Sequence, residues 1–238
     1  MTTIDMPDPV PLDLVLQPKE EFVRRGDGGP TSTEPVRQRI SVGGPIYRGI
    51  DADSTDDPEL RHFLAEDAAD SDFYLVHLTC TLRHEDDEPF TEVLLEIDLG
   101  ESGSAPAPIA WSMQPDRVTD AVEVSRTVSL GPTMKILGVG VEARGEAGRT
   151  LSRQVPSLEA LYELESTPSW ALYRTESVEL RGLYRFHLVV RAPKDAAVTG
   201  TTSVEAKVRR KLLGVIPYRA DLTAVPDALS FTLGGREP

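Results

Sequence analysis

The chain has 238 residues, long enough to bury a sizeable hydrophobic core without a disulfide or a metal. Lys and Arg number 25 against 39 Asp and Glu, a formal net charge of −14. This charge excludes nucleic acid as an expected partner, because affinity for a polyanion comes from Lys and Arg, and it favours a protein partner with a neutral or basic surface.

Residues 1–34 are predicted to be a disordered or extended tail, because their many prolines and glycines leave little apolar surface to bury. The exception is the short apolar run that contains Leu12, Leu14 and Leu16. This run is either an edge strand or clip that packs on the body, or a docking motif for a partner. Residues 35–238 are predicted to form the folded domain, with an internal division near 145–168 left open.

An acidic turn precedes a predicted helix. Asp57 followed by Pro58 is a typical helix start, and Leu60, Phe63 and Leu64 follow at helical spacing. The turn either caps this helix or binds Ca²⁺ loosely. It does not match an EF-hand loop, which needs Gly and Glu at positions occupied by other residues. The candidate calcium ligands are Asp51, Asp53, Asp56 and Asp57.

From residue 73 the apolar period changes from 3.6 to 2. Residues 73–82 and 91–99 alternate in this way around an acidic turn, which predicts an antiparallel hairpin with one buried face. Cys80 falls on the buried face and is expected to act as a small hydrophobic residue. His77 falls on the opposite face and is expected at the sheet surface.

The clearest alternation covers residues 118–130, and residues 134–143 are predicted to return as the second strand of a hairpin. Within the return strand, Gly138 and Gly140 resemble the start of a dinucleotide-binding motif. The alternation continues through Gly140 and no helix follows, so no cofactor is expected. Further along, Leu158, Leu161 and Tyr162 have helical spacing and predict a second short helix before Pro168.

The last third of the chain is predicted to be β again, which brings the total to about ten strands. Many short strands separated by Gly and Pro turns favour an antiparallel β-sandwich with two short helices. The segments 73–78 and 183–188 share Tyr, His and Leu at matching positions, so two related β units are a further hypothesis. The one basic cluster is Arg209, Arg210 and Lys211.

No arrangement of residues in the sequence indicates catalysis. The four histidines lack metal-ligand spacing, and no Gly-x-Ser-x-Gly motif is present. Trp111 and Trp170 are either core anchors or exposed contact residues. We therefore predict a non-enzymatic protein-interaction or scaffold module that contacts partners through Leu12, Leu14, Leu16, Trp111, Trp170 and the basic cluster. The alternatives are a membrane-engaging effector with amphipathic hairpins at 118–143 and 183–210, and a hydrolase using scattered acidic residues.

Composition also bears on the compartment. A single cysteine favours a reducing environment. Residues 1–16 contain three aspartates and no basic residue, unlike a secretory signal peptide, and no apolar run approaches the 18 residues of a membrane span. The absence of asparagine and the excess of arginine over lysine are typical of GC-rich genomes, which predicts a bacterial, cytoplasmic protein.

Overall fold

The computed structural model describes residues 6–18, 35–100, 106–119, 156–212, 216–224 and 229–234. Within these residues the chain forms twelve β-strands, one α-helix and one short 3-10 turn at Ala52–Ser54. In chain order the elements are β1 Pro11–Pro18, β2 Val36–Ile50, α1 Pro58–Asp67, β3 Ser71–Leu82, β4 Phe90–Asp98, β5 Ile109–Gln114, β6 Arg117–Val118, β7 Leu158–Leu161, β8 Ser169–Tyr173, β9 Gly182–Pro193, β10 Val198–Leu212, β11 Ile216–Ala224 and β12 Ser230–Leu233.

The twelve strands belong to one antiparallel sheet that nearly closes into a barrel. The strand order is β5-β9-β3-β2-β1-β11-β10-β4-β8-β7-β6, and β12 pairs with β10. The predicted antiparallel β class is therefore confirmed, whereas the sandwich is not, and the strands number twelve rather than about ten. Alternation of apolar residues is the same in a sandwich and in a coiled, continuous sheet, so it does not distinguish the two.

One short run of chain, residues 109–118, brings the two ends of this strand order together. Its first half, β5, pairs with β9, and its second half, β6, pairs with β7. Between the two halves the Pro115 carbonyl oxygen accepts a hydrogen bond of 3.1 Å from Nε1 of Trp170. The Asp116 carbonyl accepts one of 2.7 Å from the Ala160 amide. The run therefore changes sheet partner along its length.

The inner face of the sheet encloses the main core, in which Trp170, Phe90 and Phe186 are the largest fully buried side chains. Cys80 lies in this core, as its place in the alternation predicts. Burial raises the pKa of its thiol to about 12, so the thiolate form is strongly disfavoured.

Part of the outer face is also covered, which the alternation alone does not reveal. Helix α1 packs its apolar side on Phe73, Leu75 and Val189, so β3 is buried on both faces at that end. Further along β3, residues 6–10 cross the sheet. His77 lies under them and is only 1% exposed, which corrects its expected place at the sheet surface.

Strand and helix positions agree better with prediction than strand pairing does. The helix after Asp57 is confirmed, but the second helix is wrong, because Leu158–Leu161 is β7 and pairs with β8. The strands β3 and β4 do not pair with each other, nor do β9 and β10, so neither the 73–99 nor the 183–210 hairpin forms. The predicted hairpin at 118–143 lies outside the described residues beyond position 119.

The strand β1 occupies the middle of the strand order, between β2 and β11. Leu14 and Leu16 point into the main core and are buried there. The residues Pro11–Pro18, predicted as part of a tail, therefore belong to the sheet.

Candidate interaction surface

The connection between β7 and β8 exposes two large hydrophobic side chains side by side with two carboxylates. Tyr162 is 62% exposed and Leu164 is 54% exposed. Glu163 and Glu165, which alternate with them, are also exposed. We call these four residues the 162–165 loop.

The backbone of the 162–165 loop is unusual for its side chains. Tyr162 has φ 61° and Leu164 has φ 69°, both in the left-handed region. A residue with a Cβ loses roughly 1–2 kcal/mol there, and bulky side chains are rare in it. The loop therefore combines backbone strain, which opposes folding, with exposed apolar surface, which contributes nothing to it.

Hydrogen bonds to neighbouring elements hold the 162–165 loop in place. The Leu164 amide donates to the Ala110 carbonyl at 2.8 Å, and the Ala110 amide donates to the Glu165 carbonyl at 3.0 Å. Just beyond the loop, Ser166 accepts from the Leu99 amide and donates its hydroxyl to the Pro108 carbonyl. The exposed side chains are thus presented by a well-anchored backbone.

A second group of polar residues lies where residues 6–10 cross the outer face of β3 and β9. Asp8 accepts two hydrogen bonds from the Arg185 guanidinium, at 2.8 and 2.6 Å. This interaction is the main reason that the pKa of Asp8 falls to about 2. His77 and His187 face each other across the β3–β9 ladder, with their rings stacked at a centroid distance of 4.5 Å.

The ring nitrogens of His77 are both engaged. Nδ1 lies 3.2 Å from the Phe186 carbonyl oxygen, and Nε2 lies 3.4 Å from Oδ1 of Asp8. Both neighbours belong to the protein itself and the ring is buried, so in this packing a substrate does not reach either nitrogen. The group therefore fastens residues 6–10 to the sheet rather than forming a catalytic base.

Two of the four aspartates considered for Ca²⁺, Asp51 and Asp57, serve local structure. Asp51 accepts from the Asp53 amide and the Ser54 hydroxyl and caps the 3-10 turn. Asp57 caps α1 by accepting from the amides of residues 59 and 60. Across the described ranges, no three His, Cys, Asp or Glu side chains, Asp56 included, are grouped closely enough to hold a metal ion.

The two tryptophans occupy different environments. Trp170 is fully buried in the main core and offers no surface to a partner. Trp111 is half-buried on the outer face, stacked on Phe63 at 5.6 Å and edge-on to Phe73. Both rings therefore act as packing anchors, of the inner core and of the α1 cluster respectively.

The remaining predicted contact residues are spread over the sheet and do not form one surface. Leu12 is exposed, whereas Leu14 and Leu16 are buried. Arg209 is exposed on β10, opposite Arg219 of β11 in the backbone ladder. Arg210 and Lys211 continue that ladder, and their side chains are outside the description.

Sequence reasoning missed the two groups with the most unusual geometry. The spacing of Tyr162 predicts a helix. The following Ser166, Thr167 and Pro168, however, are residues typical of a loop. The matching Tyr, His and Leu of 73–78 and 183–188 did contain the stacked histidine pair. The contact between the two histidines depends on the β3–β9 register, which the sequence alone does not show.

Comparison with known proteins gives no match to a family model, to a curated protein or to a solved structure. Within the part of the chain that the structure describes, no helix has both the length and the apolar character needed to cross a membrane.

Proposed function

We propose that this protein is a non-enzymatic, cytoplasmic interaction module that binds a partner protein through the 162–165 loop. The observation that supports this is the exposure of Tyr162 and Leu164 on a strained but firmly hydrogen-bonded backbone. Strain of this kind persists where the surrounding structure imposes it, and it concentrates at functional sites. A tyrosine and a neighbouring leucine are suitable anchors for a pocket on a partner.

The chemistry of the loop indicates the chemistry of the partner surface. Glu163 and Glu165 flank Leu164, and the whole chain carries a net charge of −14. A partner with an apolar pocket and a basic rim would complement both features. Because charge attraction between separated surfaces is screened by salt, we expect association with this partner to slow as ionic strength rises.

Affinity purification with matched variants tests the proposal. The Tyr162→Ser, Leu164→Ser double variant removes both anchors. The control is Tyr47→Ser, Leu183→Ser, which removes an exposed tyrosine and an exposed leucine elsewhere on the sheet. We expect proteins captured by the wild type to be retained by the control and reduced about tenfold or more on the loop variant.

The expected charge dependence gives a second test of the same surface. Proteins that depend on the anchors should also be lost when Glu163 and Glu165 are both changed to lysine. Capture of the same proteins in equal amounts by the wild type and the loop variant would contradict the proposal.

A further inference from the structure

The 6–10 segment lies on the sheet surface as a bound peptide would. Pro9 is buried, whereas Pro7, Asp8 and Val10 on either side of it are exposed. The carboxylate of Asp8 is held by Arg185 and approached by His77. Met6 packs on the α1 cluster, and the two adjacent residues Asp8 and Pro9 make the polar and the closely packed contacts with the sheet.

The sheet provides a recess for the proline. A Cβ atom on Gly43 would come within 2.8 Å of the Pro9 carbonyl oxygen and 3.2 Å of its ring Cγ, and a Cβ on Gly44 would also come within 3.2 Å of that Cγ. Glycine at these two positions therefore leaves room for the proline ring. The β2–β3 register shifts between Gly43 and Ile46, so the recess lies at an irregularity in the ladder.

Four residues that contact Asp8 or Pro9 belong to the sheet itself. Gly43 and Gly44 lie on β2, His77 on β3 and Arg185 on β9. The β2–β3 and β3–β9 ladders position these four residues, and the 6–10 segment contributes no residue pair to either ladder. The strands of the sheet therefore position the recess and the Arg185 side chain, and the segment binds to them as a ligand would.

We infer that this surface is a recognition site for an aspartate–proline segment of a partner protein, with Asp8–Pro9 of this chain as the resident competitor. Arginine holds a carboxylate through two parallel hydrogen bonds, and the glycine recess admits a proline ring at the next position. The Asp8 side chain is 38% exposed, so water competes for its ion pair with Arg185. A partner segment can therefore replace Asp8–Pro9 at this site. This site is independent of the 162–165 loop.

A peptide supplied in trans tests the inference. The probe is a blocked synthetic peptide with the sequence of residues 6–10, and the receptor is the isotopically labelled full chain carrying Asp8→Ala and Pro9→Ala. We expect saturable chemical-shift changes at the amides of Gly43, Gly44 and Arg185. The peptide should bind the wild-type chain about tenfold or more weakly, because the tethered segment is present at millimolar effective concentration.

Three comparisons decide the specificity. Replacing Asp by Asn in the peptide should weaken binding at least tenfold, and Arg185→Met in the receptor should do the same. Arg48→Met, an exposed arginine on β2, should leave binding unchanged. Thermal unfolding shows whether each variant is folded. The Asn peptide tests the role of the carboxylate without altering the receptor.

Any of four results would overturn the inference. The first is no saturable binding of the peptide to the Asp8→Ala, Pro9→Ala chain, and the second is equal binding of the Asp and Asn peptides. The third is equal binding to that chain and to the wild type, and the fourth is unchanged binding to the Arg185→Met receptor.

Discussion

Tyr162 and Leu164 adopt backbone angles that glycine adopts without strain, so substitution by glycine separates stability from binding. Relief of roughly 1–2 kcal/mol of strain exceeds the extra backbone entropy of glycine, about 0.5–1 kcal/mol. We therefore expect Tyr162→Gly and Leu164→Gly each to leave the free energy of unfolding unchanged or to raise it by up to about 1 kcal/mol, as measured by urea denaturation.

Leu183→Gly is the control for that pair. Leu183 is similarly exposed but lies on β9 with an ordinary strand conformation, so glycine there should lower the free energy of unfolding by about 0.5–1 kcal/mol. Equal losses in all three variants would show that the loop backbone carries no strain.

His187 should make stability depend on pH in one window. Burial, followed by the charges of His77 and Arg185 and opposed by Asp8, lowers its pKa from 6.5 to about 4. Between these values the unfolded chain takes up a proton at this position and the folded chain does not, so the free energy of unfolding falls as pH drops from about 6.5 to about 4. The slope from one group is at most about 1.4 kcal/mol per pH unit.

Urea titrations of the wild type and His187→Gln across this window measure the contribution. We expect a flatter dependence in the variant. Asp8, whose pKa falls from 3.8 in the unfolded chain to about 2 in the folded chain, begins to contribute only at the acidic end of this window, and it does so in both proteins. Parallel curves for the two proteins would mean that His187 is solvated and titrates normally.

At the scale of single residues, the sequence predicts which face of a strand a side chain lies on, but it predicts burial only where no distant segment covers the other face. Cys80 alternates with apolar neighbours and points into the core as expected. His77 occupies the opposite face of the same strand, and its burial depends on Asp8 and Pro9, which are about 70 positions away. Alternation reports which face a residue is on, but not what later covers that face.

At the scale of elements, local sequence signals predict where an element lies better than they predict whether it is a helix or a strand, or which strands pair. Leu158, Leu161 and Tyr162 have helical spacing, yet pairing with β8 makes the first two part of a strand. The strand β3 was paired with its sequence neighbour, whereas its partners are β2 and β9. Pairing depends on contacts between distant segments, which a single sequence does not encode in its periodicity.

The strand β12 allows a test of packing between neighbouring elements. A Cβ on Gly200 of β10 would lie 2.8 Å from Cε1 of Phe231 on β12 and 2.9 Å from the Asp98 carbonyl oxygen on β4. Gly200→Ala should therefore displace β12 or the Phe231 ring and cost about 1–3 kcal/mol of folding free energy, as overpacked sites do. Denaturant titration measures this.

Gly49→Ala is the matched control for Gly200→Ala. A Cβ on Gly49 of β2 meets no atom within 4 Å, so the same change there should leave the free energy of unfolding unchanged or raise it by up to about 1 kcal/mol. If the two alanine variants were equally stable, the close packing of Phe231 on β10 would be wrong.

At the scale of the whole molecule, closure depends on two segments that are short in sequence. Residues 109–118 join the ends of the strand order, and β1 joins β2 to β11 in its middle. Neither role was predicted, because β5 and β6 are short and β1 lies in a proline-rich stretch. The sandwich was a reasonable expectation from the strand pattern, but the partners of these two segments determine that the sheet is continuous.

The continuity of the sheet makes β1 indispensable in this fold. Removing residues 1–18 deletes the strand between β2 and β11 together with the buried Leu14 and Leu16, and each buried leucine contributes about 2–5 kcal/mol. Total stabilities of about 5–15 kcal/mol leave little margin, so we expect this truncated chain to lose cooperative thermal unfolding.

Cys80, two strands away, should then react rapidly with a thiol reagent in native buffer, whereas in the full chain it should react only after denaturant is added. Removing residues 1–5 keeps the 6–10 segment and β1 in the chain, and we expect it to leave both measurements unchanged. A chain lacking residues 1–18 that unfolds cooperatively within about 1 kcal/mol of the full chain, with Cys80 still protected, would show that the sheet does not need β1.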